Sequence, residues 1–239
     1  MIIIPARVES SRFPNKVLAK IGDIPMVIKT AKAVEEIDRV VIATDSKEVV
    51  NVANEYGFEA VMTSSSCNSG TDRIYEAATK LNLADDEIII NVQADEPFIE
   101  KEVVKSLFNL TKEYAKESEV IATTLYKLVD YTYANNPNVV KVVTTKDNIA
   151  LYFSRALIPY DRDAKKDKFK AHLGLYGFTY AKLKRFCQMD ESTLENLEKL
   201  EQLRILDNGY KIALKEVTSH SFGIDTKEDL EKALKLHIL

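Results

Sequence analysis

Cysteine is scarce in this 239-residue chain, which contains only Cys67 and Cys187. Two cysteines are too few for a disulfide framework, and they lack the spacing of metal ligands. No apolar stretch approaches the roughly 20 residues that a membrane-spanning helix needs. The apolar start at residues 1–4 is followed at once by Pro5, Ala6 and Arg7, and is too short for a signal-peptide core. We therefore expect a cytoplasmic protein that works on soluble substrates, away from membranes.

The chain also has no excess of positive charge. Its formal net charge is −4, with 46% hydrophobic and 29% charged residues, a composition typical of a globular protein. An acidic balance argues against broad nucleic-acid binding, so any site for an anion must be a local cluster of cations. The sequence has no Gly-x-Gly-x-x-Gly after the first strand, no Walker P-loop, no Gly-x-Ser-x-Gly and no His-Glu-x-x-His. These absences exclude the common dehydrogenase, P-loop, hydrolase and zinc-protease classes.

Short apolar segments alternate with helical patterns through the first half of the chain. The predicted strands are residues 2–4, 40–44, 60–63 and 87–92, and the predicted helices are residues 26–36, 47–56 and 72–81. Pro25 suits a first helical turn, Ser46 can cap a helix, and Gly57 can end one. Nearly continuous apolar strands indicate a parallel sheet covered on both faces. The order predicts an α/β fold with a Rossmann-like, doubly wound, mostly parallel sheet.

The second half has a different pattern and predicts an antiparallel β-rich elaboration. Its predicted elements are strands 139–145 and 149–155 forming a hairpin, strand 172–178, helix 181–186, helix 194–207, strand 211–217 and a last helix starting at the Thr226 capping box. Gly209 is placed to end the helix before it. No linker or repeat interrupts the chain. We therefore predict a single domain, 1–239, with a core of about 1–125 and 206–239 and an elaboration of about 126–205.

The loop after the first strand concentrates positive charge. Arg7, Arg12 and Lys16 stand against a single anion, Glu9. In open α/β sheets, ligands bind outside the carboxyl ends of the strands. Arginine can fork two phosphate oxygens and lysine acts as a point charge, so the loop suits a triphosphate. A solvated basic loop is the alternative interpretation.

Two acids follow the fourth predicted strand, in the segment Asn91-Val92-Gln93-Ala94-Asp95-Glu96-Pro97. Neighbouring carboxylates repel one another unless a cation joins them, and a hard cation with oxygen ligands would do so. They could instead stabilise the start of a following helix. Asp95, nearer to the strand end, is the better metal candidate. Spacing alone thus indicates a nucleotide-phosphate site with a divalent metal.

Several segments resemble the 3-deoxy-manno-octulosonate cytidylyltransferases, from residue 2 to the final helix. The similar segments are Ile3-Ile4-Pro5-Ala6-Arg7 with Ser11-Arg12-Phe13-Pro14-Asn15-Lys16, residues 91–97, residues 150–160, residues 172–178, Leu200-Glu201-Gln202-Leu203-Arg204 and Gly223-Ile224-Asp225-Thr226. The Pro-Ala-Arg loop is shared with CMP-sialic acid synthetases, whereas the later segments are more specific. The resemblance implies a fold of the nucleotide-diphospho-sugar transferase type.

The resemblance also implies a reaction. CTP and 3-deoxy-D-manno-octulosonate (Kdo) would give CMP-Kdo and pyrophosphate, for lipopolysaccharide biosynthesis, by in-line attack of the anomeric hydroxyl on the α-phosphate. Catalysis would rest on Arg7, Arg12, Lys16, Asp95 and Asp225, with Asp95 and Asp225 holding Mg²⁺; nothing in their spacing pairs these two aspartates. The nucleotide pocket would include Ala6, Arg7, Arg12, Lys16, Thr63, Ser69 and Gln93.

On the sugar side, the positions that match the family are Gln93, Arg155, His172, Tyr176, Glu198, Glu201 and Gln202. Arg155 could pair with the Kdo carboxylate, and residues 126–205 would carry sugar binding and dimerisation. A homodimer is implied, with residues 139–158 as its contact region. The chain departs from the family at Ala94, where glycine is usual, and its loop 161–170 is short.

Three alternatives remain open from the sequence. The same chemistry could act on 8-amino-Kdo or another nonulosonic acid. A non-catalytic CTP sensor on the same fold is a second possibility, although Arg7, Lys16, Asp95 and Asp225 argue against it. A glycosyltransferase would typically carry Asp-x-Asp, and Asp95-Glu96 does not match that pattern.

Overall fold

The structure, a computed structural model, describes residues 1–8, 13–164 and 168–237. The strands are β1 (Ile2–Ala6), β2 (Lys20–Ile21), β3 (Ile24–Pro25), β4 (Val40–Thr44), β5 (Glu59–Met62), β6 (Ile88–Asn91), β7 (Val120–Val129), β8 (Lys141–Thr144), β9 (Ala150–Ser154), β10 (Phe169–Thr179) and β11 (Lys211–Glu216). The helices are α1 (Met26–Val34), α2 (Lys47–Glu55), α3 (Gly70–Lys80), α4 (Lys101–Glu113), α5 (Tyr131–Ala134), α6 (Tyr180–Cys187), α7 (Thr193–Glu198), α8 (Leu203–Asp207) and α9 (Lys227–His237).

Two compact units divide the chain, the first being residues 1–105 with 219–239 and the second residues 106–218. The boundary falls inside α4. The division predicted from the sequence, at about residues 125 and 206, stays a prediction. None of the helices in the described part of the chain is long and apolar enough to cross a membrane.

The first unit contains a parallel sheet with strand order β6-β1-β4-β5. β1 pairs with β4 from Ile2↔Val40 to Ala6↔Thr44 and with β6 on its other side. All five residues of β1 are buried, and α1 and α3 pack against this strand. The chain runs from β1 outward to β5 and then returns to β6, so the direction of winding reverses beside β1. Ligands bind at such a switch point in open α/β sheets.

The element boundaries of the first unit follow local signals. The Ser46 hydroxyl accepts a hydrogen bond from the Val49 N–H at the start of α2, and Ser69 forms a capping box with Asp72 at the start of α3. Gly57 follows α2 with φ +80°, where a residue without Cβ avoids strain. Ser46 and Gly57 thus bound α2 as predicted. The parallel pairings of β1, β4, β5 and β6 confirm the predicted α/β arrangement.

The second unit is built around β7, which pairs in parallel with β11 and antiparallel with β10. β8 pairs antiparallel with β9, from Lys141↔Ser154 onward, and also contacts β10. The predicted hairpin and the predicted antiparallel elaboration are therefore confirmed. β7 is an element that the sequence analysis did not assign, although it is apolar and almost entirely buried.

The predicted helix over residues 194–207 is wrong. The structure has two short helices there, α7 and α8, separated by Lys199, whose φ of +53° is left-handed. The Lys199 N–H donates to the Glu195 carbonyl and ends α7. Leu197 extended the apolar pattern in the sequence, but its side chain is exposed in the structure. Helical spacing of leucines was therefore a misleading signal here.

Candidate active site

The loop that leaves β1 carries Arg7, which is exposed, and reaches Lys16 at the start of a 3-10 turn, Lys16–Leu18. Asn15 precedes the turn with φ +55°, a left-handed conformation that asparagine tolerates better than most residues. Glu9 and the predicted phosphate ligand Arg12 lie outside the described residues.

Lys16 joins two carboxylates that are far apart in the sequence. Its Nζ lies 2.6 Å from Oδ2 of Asp95 and 2.9 Å from Oδ1 of Asp225. Burial by itself would lower the pKa of Lys16, but the two carboxylates outweigh it and raise that pKa above its usual value. The structure thus brings together three of the predicted catalytic residues around one positive charge.

The segment before α9 is fixed against the loop after β6, which explains how Asp225 reaches Asp95. The Ile224 N–H donates to the Asp95 carbonyl at 2.9 Å. The Glu96 carboxylate accepts from the Ser221 hydroxyl, and Glu100 accepts from the His220 N–H at 2.7 Å. Glu96 is therefore engaged with the backbone segment that positions Asp225.

A cavity of about 800 Å³ opens in the first unit beside these groups. Its lining residues come from the ends of β1 and β6, the start of α3 and the segment before α9: Pro5, Arg7, Val8, Pro14, Asn15, Lys16, Val17, Cys67, Asn68, Ser69, Gly70, Arg73, Gln93, Ala94, Asp95 and Asp225. Arg7, Lys16 and Arg73 give this cavity three cationic side chains, as a polyanionic ligand would require.

The N-terminus of α3 lines the same cavity, through Ser69 and Gly70. A Cβ at Gly70 would lie 3.3 Å from Cγ of Pro5 and 3.6 Å from Oε1 of Gln93, so the glycine permits a close approach of helix and strand. The Ser69 N–H is engaged by Asp72 at 3.1 Å, so it is the helix dipole that favours an anion at this place.

Arg73 is a site residue that the sequence analysis missed. It is 3% exposed, and its guanidinium donates to Asp45 Oδ2 at 2.8 Å and to the Thr63 hydroxyl at 2.6 Å. The available signal was helical spacing, because position 73 lies one turn before Ala77 on the face of α3 that also buries Ile74 and Ala78.

Two predicted nucleotide residues lie behind the residues that line the cavity. Ala6 is fully buried within β1, and the Thr63 hydroxyl holds Arg73. In the described part of the chain, neither lines the cavity. Ser69 and Gln93, by contrast, do line it. Ala94 is 4% exposed, and its carbonyl accepts a hydrogen bond from the Thr30 hydroxyl at 3.0 Å.

The second unit contains the other predicted sugar residues. Arg155 and Glu198 lie together: the Arg155 N–H donates to Glu198 Oε2 at 2.9 Å, and its Nε donates to the Glu198 carbonyl at 2.7 Å. Both carboxylate oxygens of Glu198 are engaged, because Oε1 accepts from the Ser154 hydroxyl at 2.6 Å.

His172 and Tyr176 form a second group, with their ring centroids 5.4 Å apart. Burial lowers the pKa of His172 to about 3, so the ring is neutral, and its Nε2 lies 2.9 Å from the Thr124 hydroxyl. Burial, with the charge of Glu201, raises the pKa of Tyr176 well above its usual value. These side chains can exchange hydrogen bonds with a ligand but supply no cation.

Gln202 is also buried, and within the described residues its Nε2 has no hydrogen-bond partner. A buried amide nitrogen without a partner costs free energy, so such groups in native proteins commonly serve a ligand or a water molecule.

The sequence model of the cytidylyltransferase family matches residues 1–212. The chain belongs to this family. It is 54% identical to the 3-deoxy-manno-octulosonate cytidylyltransferase of a Nitratiruptor species, over 97% of each chain. It is 48% identical to the enzyme of the same name from Wolinella succinogenes, over 99% of this chain and 98% of the relative.

Among solved structures, this cytidylyltransferase is similar to a CMP:2-keto-3-deoxy-manno-octonic acid synthetase complexed with CTP. The TM-score is 0.90 at 37% identity, covering 99% of this chain and 97% of the other. The similarity extends over almost the whole chain, so the resemblance stated from the sequence motifs and the predicted fold class are both confirmed.

Proposed function

We propose that this protein is a 3-deoxy-manno-octulosonate cytidylyltransferase, which converts CTP and Kdo to CMP-Kdo and pyrophosphate. The observation that carries the proposal is the cavity at the carboxyl ends of β1 and β6, where Lys16, Asp95 and Asp225 meet. The 54% identity to a named relative over 97% of both chains supports the same reaction.

The triphosphate of CTP would bind in this cavity. Arg7 and Lys16 supply charge from the β1 loop, and the N-terminus of α3 at Gly70 supplies the positive end of a helix dipole. We keep Arg12 as a further phosphate ligand on the resemblance alone.

The chemical step is attack of the anomeric hydroxyl of Kdo on the α-phosphorus, with pyrophosphate leaving in line. Such transfer needs little covalent participation by the protein and depends on positioning and on neutralising charge. Lys16 is the group that we assign to the charge that develops on the departing pyrophosphate. Its carboxylate partners hold the ammonium in the cavity.

Mg²⁺ fits the donor set that Asp95 and Asp225 provide. Two carboxylates, one of them 44% exposed in its side chain, match the usual Mg²⁺ site of one or two carboxylates completed by waters and substrate phosphates. Within the described residues no group of three or more His, Cys, Asp or Glu could hold a metal, so waters and substrate phosphates would complete the shell around the two carboxylates. When bound, Mg²⁺ would polarise the α-phosphate and neutralise its charge.

On the family resemblance we assign sugar recognition to Gln93 and to six further residues. The latter are Arg155, His172, Tyr176, Glu198, Glu201 and Gln202. The unpaired Nε2 of Gln202 supports a role in binding a hydroxyl or carboxylate oxygen. An 8-amino sugar carries an amino group where Kdo has a hydroxyl, so it stays the alternative substrate.

We further propose a homodimer formed through residues 139–158. Leu151, on β9 of this hairpin, is 60% exposed and would lie in this contact region, but the dimer itself is proposed on the family resemblance. A role in lipopolysaccharide biosynthesis stays a prediction of the family resemblance, and a cytoplasmic location stays a prediction from the sequence.

The deciding experiment is pyrophosphate release from CTP with Mg²⁺, comparing Kdo, 8-amino-Kdo and sialic acid. Turnover with Kdo, abolished by Asp95→Asn, would support the assignment. A preference for the 8-amino sugar would keep the mechanism and change the substrate. CTP binding without turnover on any sugar would contradict the enzyme assignment and favour a non-catalytic CTP sensor.

A further inference from the structure

Lys141, on β8, is a fully buried lysine whose ammonium contacts carbonyl oxygens. The residue has 0% exposure, and Nζ lies 2.5 Å from the Arg155 carbonyl, 2.7 Å from that of Val139 and 3.2 Å from that of Asn136. An ammonium has three donors, so all three are used. Burial lowers the pKa of Lys141, while Glu198 acts in the opposite direction.

The three carbonyls belong to two separate stretches of the second unit. Asn136 and Val139 lie in the segment before β8, and Arg155 follows β9 directly. Lys141 therefore ties the backbone of Arg155 to the segment 136–139.

The guanidinium of Arg155 is held by the surrounding backbone as well. Its Nε donates to the Glu198 carbonyl at 2.7 Å, Nη1 to the Pro137 carbonyl at 3.2 Å and Nη2 to the Lys199 carbonyl at 3.4 Å. Pro137 lies inside the segment that Lys141 fixes, and Lys199 is the left-handed residue that ends α7.

Two N–H groups of the Arg155 guanidinium are left over for a ligand. A guanidinium has five N–H groups, of which Nε carries one and each terminal nitrogen two. The contacts to the three carbonyls leave one N–H on Nη1 and one on Nη2. A pair of this kind is what a carboxylate binds in bidentate fashion.

We propose that Lys141 is a positioning residue for sugar binding: it fixes the backbone around Arg155 so that the two remaining N–H groups face the carboxylate of an acidic sugar. Glu198 completes the same support through the Arg155 N–H and the Ser154 hydroxyl. The proposal rests on the assignment of Arg155 to the sugar carboxylate under the proposed function.

The test is steady-state kinetics of the full-length enzyme carrying Lys141→Met, with CTP and Kdo varied separately. Loss of the ammonium leaves three carbonyls without their donor and should shift Arg155. A displacement near 1 Å can lower the reaction rate about 100-fold. We expect kcat/KM for Kdo to fall by about 10- to 100-fold, while KM for CTP changes less than about twofold.

Lys182→Met is the matched control. Lys182 is a half-buried lysine whose ammonium donates to one carbonyl of the second unit, that of Tyr114 at 2.6 Å, and burial lowers its pKa as it does that of Lys141. Both variants should lower the melting temperature, but only Lys141→Met should change KM for Kdo. Equal kinetics in the two variants would overturn the positioning role.

Two further variants make every outcome decisive. Arg155→Ala separates the two proposals. An unchanged KM for Kdo in this variant would show that Arg155 does not bind the sugar. A raised KM for Kdo in Arg155→Ala, together with normal kinetics in Lys141→Met, would contradict only the role of Lys141. If Lys141→Met does not fold, Ser154→Ala removes the hydroxyl from Glu198 and should raise KM for Kdo about threefold through the same support. No change in that variant would contradict the proposal.

Discussion

Nζ of Lys16 lies 2.6 Å from Oδ2 of Asp95, across 79 residues of sequence. The same ammonium contacts Asp225, which the resemblance pairs with Asp95 as a metal ligand. A single side-chain cation therefore joins the two carboxylates and offsets part of their charge. Binding of a triphosphate would offer Lys16 other anionic partners and free these carboxylates.

Replacing Lys16 tests its role in catalysis. We expect Lys16→Met to lower kcat by about 100- to 1000-fold, the usual cost of removing one group that stabilises transition-state charge. Steady-state pyrophosphate release is the measurement, and the exposed Lys20 gives the control variant Lys20→Met. A kcat within about threefold of wild type would refute the role.

The same variant tests competition between lysine and metal. Removing the ammonium leaves Asp95 and Asp225 without their neutralising partner, so Mn²⁺ should bind Lys16→Met about tenfold more tightly than wild type in the absence of CTP, a difference of about 1.4 kcal/mol. Titration followed by Mn²⁺ electron paramagnetic resonance measures this directly. The double variant Lys16→Met with Asp225→Asn should lose the tighter Mn²⁺ binding. If it keeps that affinity, the metal binds elsewhere.

Cys67 offers a pH-dependent probe of the nucleotide cavity. Burial, with the hydrogen bond to Glu76, raises the pKa of the Cys67 thiol to about 11. Because the thiolate is the reactive form, alkylation should stay slow at about pH 8 and accelerate only as the pH approaches the pKa of the thiol. Glu76→Gln removes a negative charge beside the thiol and should move the profile to lower pH.

A Cys187→Ser background isolates the Cys67 signal in mass spectrometry. Since Cys67 lines the cavity, saturating CTP should slow its alkylation. Equal rates with and without CTP would argue against nucleotide binding at this place.

Gly177, in β10, has no room for a side chain. An added Cβ would lie 1.9 Å from Oγ1 of Thr111 and 2.7 Å from Oγ1 of Thr123. Gly177→Ala should therefore destabilise the protein by about 1–3 kcal/mol, the usual range for overpacking. Urea unfolding measures the change, and Gly174→Ala is the control, because nothing lies within 4 Å of a Cβ there. Equal midpoints for the two variants would contradict the expectation.

Local signals predicted much of the first unit. The strand Val40–Thr44 was predicted with its observed bounds, and α2 starts where Ser46 caps it. Apolar runs, helical periodicity and capping residues act over a few neighbours, so they are legible in the sequence. The family was recognisable for the same reason, from short motifs read in order.

Short-range signals also misled at residues 194–207, where leucine spacing predicted one helix and the structure has two. The left-handed Lys199 ends α7, and its carbonyl accepts a hydrogen bond from Arg155. That contact comes from a distant part of the chain, so spacing along the sequence carries no trace of it.

The parallel α/β class, the loops that carry the charged residues and the family all follow from the order of the amino acids. The folded chain was needed to learn that Asp225 reaches Asp95 through Lys16, that Arg73 lines the cavity, and that Lys141 supports Arg155. The difference between the two sets is one of range. Secondary structure depends on neighbours within a few residues, whereas the partner of a charged side chain depends on the path of the whole chain.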